Sequence, residues 1–264
     1  MSIVLITGDH PRHWHLVETL AESGLVSGWV RERRENFEPE PPAGLSDNLE
    51  NLFRYHFRRR AEAEEQFFGN SSRAADLATL SVTVEDLNGE RVISFLADRA
   101  PKLVISYGCH KITQQTRNST NAKFWNTHGG LSPEYRGVIT HFWPSYFLEP
   151  QMTGMTLHET TDALDGGGII FQTAGTMVRG DGLHQLAART VHEYARELAS
   201  KLVALTLGSL PIGRPQTSSG RLFLSRDWRP EHLLQIYHHH QDRIVDQVLS
   251  GEVEGRTPNL VSVI

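Results

Sequence analysis

The N-terminal segment limits the fold more strongly than any other part of the chain. Ile3–Thr7 is a short apolar run, typical of a buried strand. Apolar residues then recur at helical spacing from His10 to Ser23, and Val26–Val30 is a second apolar run. Two strands joined by a helix form a βαβ unit, in which the strands pair in parallel. We therefore predict an α/β, Rossmann-like protein whose mostly parallel, twisted sheet is flanked by helices.

Apolar periodicity along the rest of the chain extends the same architecture. Further strands are predicted at Ser81–Val84, Leu103–Tyr107, Lys123–Asn126, Met155–Glu159 and Ile169–Thr173. Helices are predicted at Leu49–Phe68, Gly89–Asp98, Val138–Phe147, Leu183–Leu207 and around Pro230–Leu249.

The length of 264 residues suits one large α/β domain with a small addition. Residues 35–46 are rich in Pro, Glu and Asn and predict a mobile loop, and Pro211–Gly220 is interpreted as a linker. We therefore expect a main domain over residues 1–210 and a small C-terminal extension over residues 211–264.

Composition narrows the cellular setting and the partners. The formal net charge of −5 argues against a nucleic-acid partner. No apolar run approaches the length of a membrane span, and the N-terminus has no signal-peptide pattern, so no membrane partner is expected. Cys109 is the single cysteine, which excludes an intrachain disulfide and favours the cytoplasm. The first βα loop lacks a G-x-G-x-x-G pattern, which disfavours a dinucleotide there.

The strand predicted at Lys123–Asn126 ends in an Asn-x-His pair, Asn126 and His128. Side chains two residues apart on an extended chain point the same way, and the carboxyl ends of parallel strands are where ligands bind. A carboxamide can bind an oxyanion, and an imidazole can move a proton. Asp165, which directly precedes a glycine run, is preferred over the nearby Asp162 as a third member that orients or assists the imidazole.

Four motifs in order resemble the folate-dependent formyltransferase family. These are Asn-Thr-His at 126–128, Leu-Ser-Pro-Glu-Tyr-Arg-Gly at 131–137, Gly-Met-Thr-Leu-His at 154–158 and Asp-Gly-Gly-Gly-Ile at 165–169. Each motif alone is weak, but their order and separations fit the family over roughly residues 2–208.

The resemblance implies a catalytic triad of Asn126, His128 and Asp165, with N10-formyltetrahydrofolate as formyl donor. It places the pterin between the loop after the fourth strand and the loop before the catalytic Asp. The cofactor-binding residues implied are Tyr107, Gly108, Cys109, Lys111, Ile112 and Asp162. The first of these loops departs from the family, because many relatives are more apolar after its glycine. Asp165 is expected either to orient His128 and raise its pKa, or to relay the proton that the acceptor loses.

The resemblance predicts a transferase that formylates a primary amine of a small molecule, with a nucleotide-linked amino sugar as the first choice. A hydroxyornithine or another biosynthetic amine is next. Methionyl-tRNA formylation is disfavoured because the extension is short and the net charge of the chain is acidic. Glycinamide ribonucleotide is disfavoured by the absence of a Gly-rich phosphate loop near the first strand. Formyltetrahydrofolate hydrolysis (deformylase activity) and a non-catalytic binding subunit are the alternatives. The dimers common among relatives make a homodimer an expectation.

Other polar clusters have simpler interpretations. The arginines at 54, 58, 59 and 60 are interpreted as a solvated helix face, with a phosphate-bearing acceptor or a folate glutamate tail as the functional alternative. His158 is interpreted as a core histidine. No metal is expected, because consecutive histidines at 238–240 point in different directions on a helix and cannot converge on one ion.

Overall fold

A computed structural model describes residues 1–69, 77–205 and 208–264. Its central element is a sheet of seven strands. The strands of this sheet are β1 (Ile3–Thr7), β2 (Val26–Glu32), β3 (Thr79–Val82), β4 (Leu103–Tyr107), β5 (Lys123–His128), β7 (Gly154–Glu159) and β8 (Ile169–Ala174). Their order is β3-β2-β1-β4-β5-β7-β8. The first five pair in parallel, whereas β7 and β8 are antiparallel to their neighbours. The predicted α/β architecture with a mostly parallel sheet is therefore confirmed.

The helices cover both faces of this sheet. They are α1 (Pro11–Ala21), α2 (Asp47–Phe68), α3 (Glu90–Arg99), α4 (Gln114–Asn118), α5 (Trp143–Tyr146), α6 (Leu183–Ala204) and α7 (Ile244–Leu249). On one face α1 and α6 pack against a large apolar core, with α2 packed on α1 and α6. On the other face α3 covers a smaller core that includes Val92 and Leu96. No helix within the described ranges is long and apolar enough to cross a membrane.

The C-terminal residues return to the main sheet at two places. Arg214 pairs with Ile169 at the start of β8, and the backbone of Val263 donates to Ile170. A second, two-stranded sheet joins β6 (Tyr135–Gly137) in parallel to β9 (Arg221–Phe223). Both sheets meet near the carboxyl ends of β4 and β5, which is the region where the Asn-x-His pair lies.

The structure corrects several local predictions. The aromatic-rich segment Val138–Phe147 is not one helix, because Ile139 has a left-handed φ of 58° and the helix α5 begins only at Trp143. The helix predicted around Pro230–Leu249 is likewise broken. It begins as short 3₁₀ and π turns, and positive φ values at Gln241 and Asp242 separate these from α7.

Other boundaries shift by a few residues. Strand β3 begins two residues before the predicted Ser81, and the long helix α6 ends at Ala204. The predicted end of that helix, at residues 206–207, lies outside the described residues. The short elements α4, β6 and β9 have too few residues to show a period and were not predicted.

Candidate active site

The strand β5 carries the Asn-x-His pair to the carboxyl edge of the sheet. Asn126 is partly buried, and the side chain of His128 is buried at the strand end. On the parallel neighbour β4, Ser106 lies in register with Asn126, and its Oγ donates to Asn126 Oδ1 at 2.8 Å. This bond assigns the carboxamide, because it leaves both amide hydrogens of Asn126 as donors.

The acid lies on the loop that joins β7 to β8. Asp165 has a left-handed φ of 46°, a conformation that Asp adopts more readily than most residues. Its Oδ2 accepts a 2.8 Å hydrogen bond from the backbone N–H of Gly137. The next residues must approach a neighbouring strand closely, because a Cβ at Gly167 would lie 1.8 Å from the carbonyl oxygen of Glu159. The glycine run thus lets the loop fold back and bring Asp165 to the strand ends.

Asp165 contacts two histidines through its two oxygens. Nδ1 of His128 lies 3.5 Å from Oδ2, and Nε2 of His158 lies 3.4 Å from Oδ1. His158 is paired with Asn126 across β5 and β7, and the Asn126 Nδ2–H group donates to His158 Nε2 at 3.2 Å. His158 Nδ1–H donates in turn to the Glu159 carbonyl at 2.9 Å, which leaves Nε2 as the acceptor. His158 therefore accepts from the carboxamide through Nε2 and places the same atom 3.4 Å from the carboxylate.

Burial and pairing leave the acid charged and the imidazole neutral at neutral pH. Burial alone would raise the pKa of Asp165, but the neighbouring His128, the contact with His158 and the Gly137 amide outweigh it and lower the pKa to about 2. Burial lowers the pKa of His128 below its ordinary 6.5, although Asp165 and the Tyr135 carbonyl act to raise it. The resting pair at neutral pH is thus a carboxylate beside a neutral imidazole. The expectation that Asp165 raises the pKa of His128 describes one contribution, which desolvation exceeds.

His128 uses its second nitrogen to fix its tautomer. Its Nε2–H donates to the Tyr135 carbonyl at 2.7 Å, so in the neutral ring the lone pair is on Nδ1, the atom that faces Asp165. A proton arriving at Nδ1 would sit directly between the ring and the carboxylate, where it is stabilised by both. The pair is therefore arranged to take up one proton as a unit.

A cavity of about 640 Å³ opens directly over these side chains. Every residue that the sequence assigned to catalysis or to cofactor binding lines it: Asn126, His128, Asp165, Tyr107, Gly108, Cys109, Lys111, Ile112 and Asp162. The cavity lies beyond the carboxyl ends of β1, β4 and β5, as expected for an open α/β sheet.

The two loops predicted to hold the cofactor meet at the mouth of the cavity. Lys111 Nζ on the first loop lies 3.5 Å from Asp162 Oδ1 on the second, and Arg117 contacts the same oxygen at 3.0 Å. Ile112 is buried behind this ion pair, while Leu164 is exposed at the mouth. Apolar walls with polar backbone at their edges suit a flat heteroaromatic ligand such as a pterin.

Gly108 and Cys109 lie on the first of these loops and line the cavity, and a different property explains each residue. Gly108 has a φ of +61°, and a Cβ there would lie 2.1 Å from the ring of His13, so only glycine fits. Burial, with a further contribution from Glu32, raises the pKa of the Cys109 thiol to about 12. Such a thiol is not a nucleophile at neutral pH.

The sequence did not predict most of the residues that form the opposite wall of the cavity. Arg12, Arg34, His56, Phe57, Arg60, His141, His158, His184 and Trp228 also line the cavity. Arg54 and Arg58 are exposed as interpreted, but Arg60 is partly buried and faces the cavity, so the solvated-face interpretation is wrong for Arg60. The sequence contains one signal for this position of Arg60, because Arg60 lies four residues after the buried His56 and therefore on the same helix face. Within the described ranges, no group of three His, Cys, Asp or Glu side chains is placed to hold a metal ion.

Comparisons with known proteins concern the family and the fold. The family model described as formyl transferase matches residues 59–202. A sugar N-formyltransferase from a Shewanella species is 17% identical, with 89% of this chain and 87% of that chain covered and a TM-score of 0.57. Phosphoribosylglycinamide formyltransferase from Anaplasma phagocytophilum is 20% identical, with coverage of 85% and 97% and a TM-score of 0.52. An N-formyltransferase from Helicobacter canadensis, in complex with folinic acid and dTDP-3-aminofucose, is 14% identical, with coverage of 97% and 84% and a TM-score of 0.52.

The α/β fold thus has a cavity at its strand ends that is lined by several titratable side chains. The matched family model covers more than half of the chain, and the chain belongs to the formyl transferase family. The solved structures share its fold.

Proposed function

We propose that the protein transfers a formyl group from N10-formyltetrahydrofolate to a primary amine of a nucleotide-linked amino sugar. The observation that carries this proposal is the convergence of Asn126, His128 and Asp165 over one cavity, with a 3.5 Å contact between the imidazole and the carboxylate. The folinic acid and dTDP-3-aminofucose bound to the Helicobacter canadensis enzyme support the choice of donor and acceptor class.

In the proposed reaction the neutral amine attacks the formyl carbon, so a new C–N bond forms and the carbonyl oxygen becomes an oxyanion. Asn126 has one Nδ2–H that donates to His158 and one that is free to donate to this oxygen. The Ser106 bond at 2.8 Å holds the carboxamide in that orientation. A preorganised donor of this kind contributes about 10²–10³ in rate.

The amine must lose a proton and N10 must gain one when the bond between the formyl carbon and N10 breaks. The Asp165–His128 pair carries one negative charge at neutral pH and can hold that proton between its facing atoms. It then returns the proton to N10, so that the products are the formamide and tetrahydrofolate, with no net proton released.

We further propose that residues 1–210 form the catalytic domain and that the extension, residues 211–264, completes its acceptor side. Trp228 of the extension lines the cavity, and Tyr237 lies 2.9 Å from Nδ1 of His56 on α2. We assign Tyr107, Gly108, Cys109, Lys111, Ile112 and Asp162 to the donor side.

The test is formyl transfer from N10-formyltetrahydrofolate to a panel of nucleotide-linked amino sugars, followed by the mass gain of one formyl group on the acceptor. Asn126→Ala should lower kcat by about 10²–10³, while the surface variant Asn118→Ala should not. Tetrahydrofolate release without any amine would identify a hydrolase instead. Folate binding without turnover on any amine would contradict an enzymatic role.

A further inference from the structure

Arg60 forms no ion pair with any carboxylate of the residues that the structure describes. Of the residues that the structure describes, none offers a carboxylate within ion-pair distance of its guanidinium, which instead donates to the Phe37 carbonyl. The rings of Phe37 and Phe57 flank it, with centroids 4.1 and 4.8 Å away. Its buried Nε–H has no acceptor among the described residues. Burial lowers the pKa of Arg60 to about 10, so the group stays charged at neutral pH.

The inner end of the cavity therefore holds an excess positive charge. Arg12 and Arg60 both line it. Glu64 forms an ion pair with Arg12, whereas Glu64 and Glu38 act on Arg60 only from beyond ion-pair distance. The nearby imidazoles of His56 and His184 neither add to this charge nor balance it, because burial lowers the pKa of both and keeps them neutral. An unbalanced buried cation is costly unless an anion joins it.

This inner end lies beside the reacting groups, and Arg12 also interacts with the side chain of Tyr107, the first residue of the donor loop after β4. His141 lines both the main cavity and a narrow recess that it shares with Arg12, Arg60 and Glu64. A Cβ at Gly129, the residue after His128, would lie 3.3 Å from the His141 ring, which places that ring next to the triad. The recess itself has a volume of about 10 Å³, which is too small for a phosphate group, so a ligand of Arg12 and Arg60 would lie in the main cavity that both residues line.

We propose that this inner end binds the diphosphate of the acceptor, with Arg60 as the principal contact and Arg12 as the second. The inference rests on the proposed function, in which the acceptor is a nucleotide-linked amine. A guanidinium presents parallel N–H donors that match two phosphate oxygens. Trp228, whose buried Nε1–H has no acceptor among the described residues, lines the cavity beside Phe57 and supplies an adjacent donor and aromatic wall for the nucleoside.

The carboxylates of a folate glutamate tail are the competing source of negative charge. They belong to the donor, whose loops line the same main cavity as Arg12 and Arg60. A diphosphate also carries its charge on a compact group, which suits a pocket with two guanidiniums on adjacent helices. The two sources predict opposite kinetic effects, because one changes KM for the acceptor and the other changes KM for the donor.

The direct test is calorimetric titration of the full chain with uridine diphosphate and with inorganic pyrophosphate. Arg60→Gln should weaken binding of both probes by about 10–100-fold, the range expected for a lost charge-assisted contact. Arg58→Gln is the matched control, because Arg58 is exposed on the same helix, and it should change binding by less than about 2-fold. Equal binding to wild type and Arg60→Gln, or an equal loss in both variants, would overturn the proposal.

Steady-state kinetics separates this proposal from the proposed function. Arg60→Gln should raise KM for the acceptor by a similar factor and leave kcat and KM for the donor near wild-type values, and Arg60→Lys should recover part of the loss. If the variant instead loses the discrimination between donors with one and with several glutamates, the site binds the folate tail and the proposal is wrong. If wild type formylates no nucleotide-linked amine, the proposed function fails, while the titration still decides whether Arg60 binds a diphosphate.

Discussion

Mild acid should destabilise this protein through histidines that its fold keeps neutral. His13, His56 and His184 are only 4–6% exposed. Burial lowers the pKa of each, to about 3 for His56 and well below 6.5 for the other two. In the unfolded chain the same groups titrate near 6.5, so below that pH the unfolded state binds protons that the folded state does not.

The size of the effect follows from that difference. At about pH 5.5 each of these histidines disfavours the folded state by about 1.4 kcal/mol relative to about pH 7.5, which makes about 4 kcal/mol for the three. Asp242 acts the other way, because burial raises its pKa to about 6 and the folded state gains a proton on acidification. Its contribution is about 1 kcal/mol, so these four groups together give a net loss of about 3 kcal/mol. The lowered pKa values of His15 and His141 add to this loss in the same direction. This is a large share of a typical stability of about 5–15 kcal/mol.

Urea unfolding followed by tryptophan fluorescence at the two pH values measures this loss directly. His184→Gln should reduce the difference between the two pH values by about 1.4 kcal/mol, because it removes one of the three groups. The exposed His239 provides the control, and His239→Gln should leave the difference unchanged. Free energies of unfolding that agree within about 1 kcal/mol at the two pH values would refute the reasoning.

Three further predictions concern the site. His158→Leu should lower kcat by about 10-fold with KM unchanged, because it releases the carboxamide of Asn126. His158→Gln should restore part of the rate, and a change confined to KM would contradict this role. Gly167→Ala should lower thermal stability by about 1–3 kcal/mol, because its Cβ would lie 1.8 Å from a backbone oxygen of β7, and an unchanged Tm would refute it. In the pH profile of kcat/KM, the acid limb should lie below pH 6.5. It should move to lower pH in Asp165→Asn, because Asp165 raises the pKa of His128 in the wild type. A move to higher pH would exclude the pairing of these two residues.

The sheet could be predicted because its signals are local. Apolar runs such as Ile3–Thr7 and Leu103–Tyr107 coincide with β1 and β4 residue for residue. An apolar strand that ends in an Asn-x-His pair located Asn126 and His128 in the same way. The segment Val138–Phe147 failed because its apolar and aromatic residues pack around a turn at Ile139, and composition does not reveal a left-handed φ.

The acceptor side could not be predicted, because it depends on contacts between distant segments. Arg60 is enclosed only when α2 packs on α6 and Phe37 folds over it from the 35–46 loop. His158 meets Asn126 only through the antiparallel register of β5 and β7. The expected homodimer and cytoplasmic location remain predictions.

The most direct test of the central claim is single-turnover formyl transfer with Asp165→Asn. The account predicts a loss of about 10²–10⁴ in the rate of the chemical step, because the variant removes the negative charge that holds the proton on His128. Binding of the formyl donor should persist, and Asp98→Asn, an exposed carboxylate on α3, should react at the wild-type rate. A folded Asp165→Asn protein that transfers formyl at the wild-type rate would contradict the assignment of Asn126, His128 and Asp165 as the catalytic group.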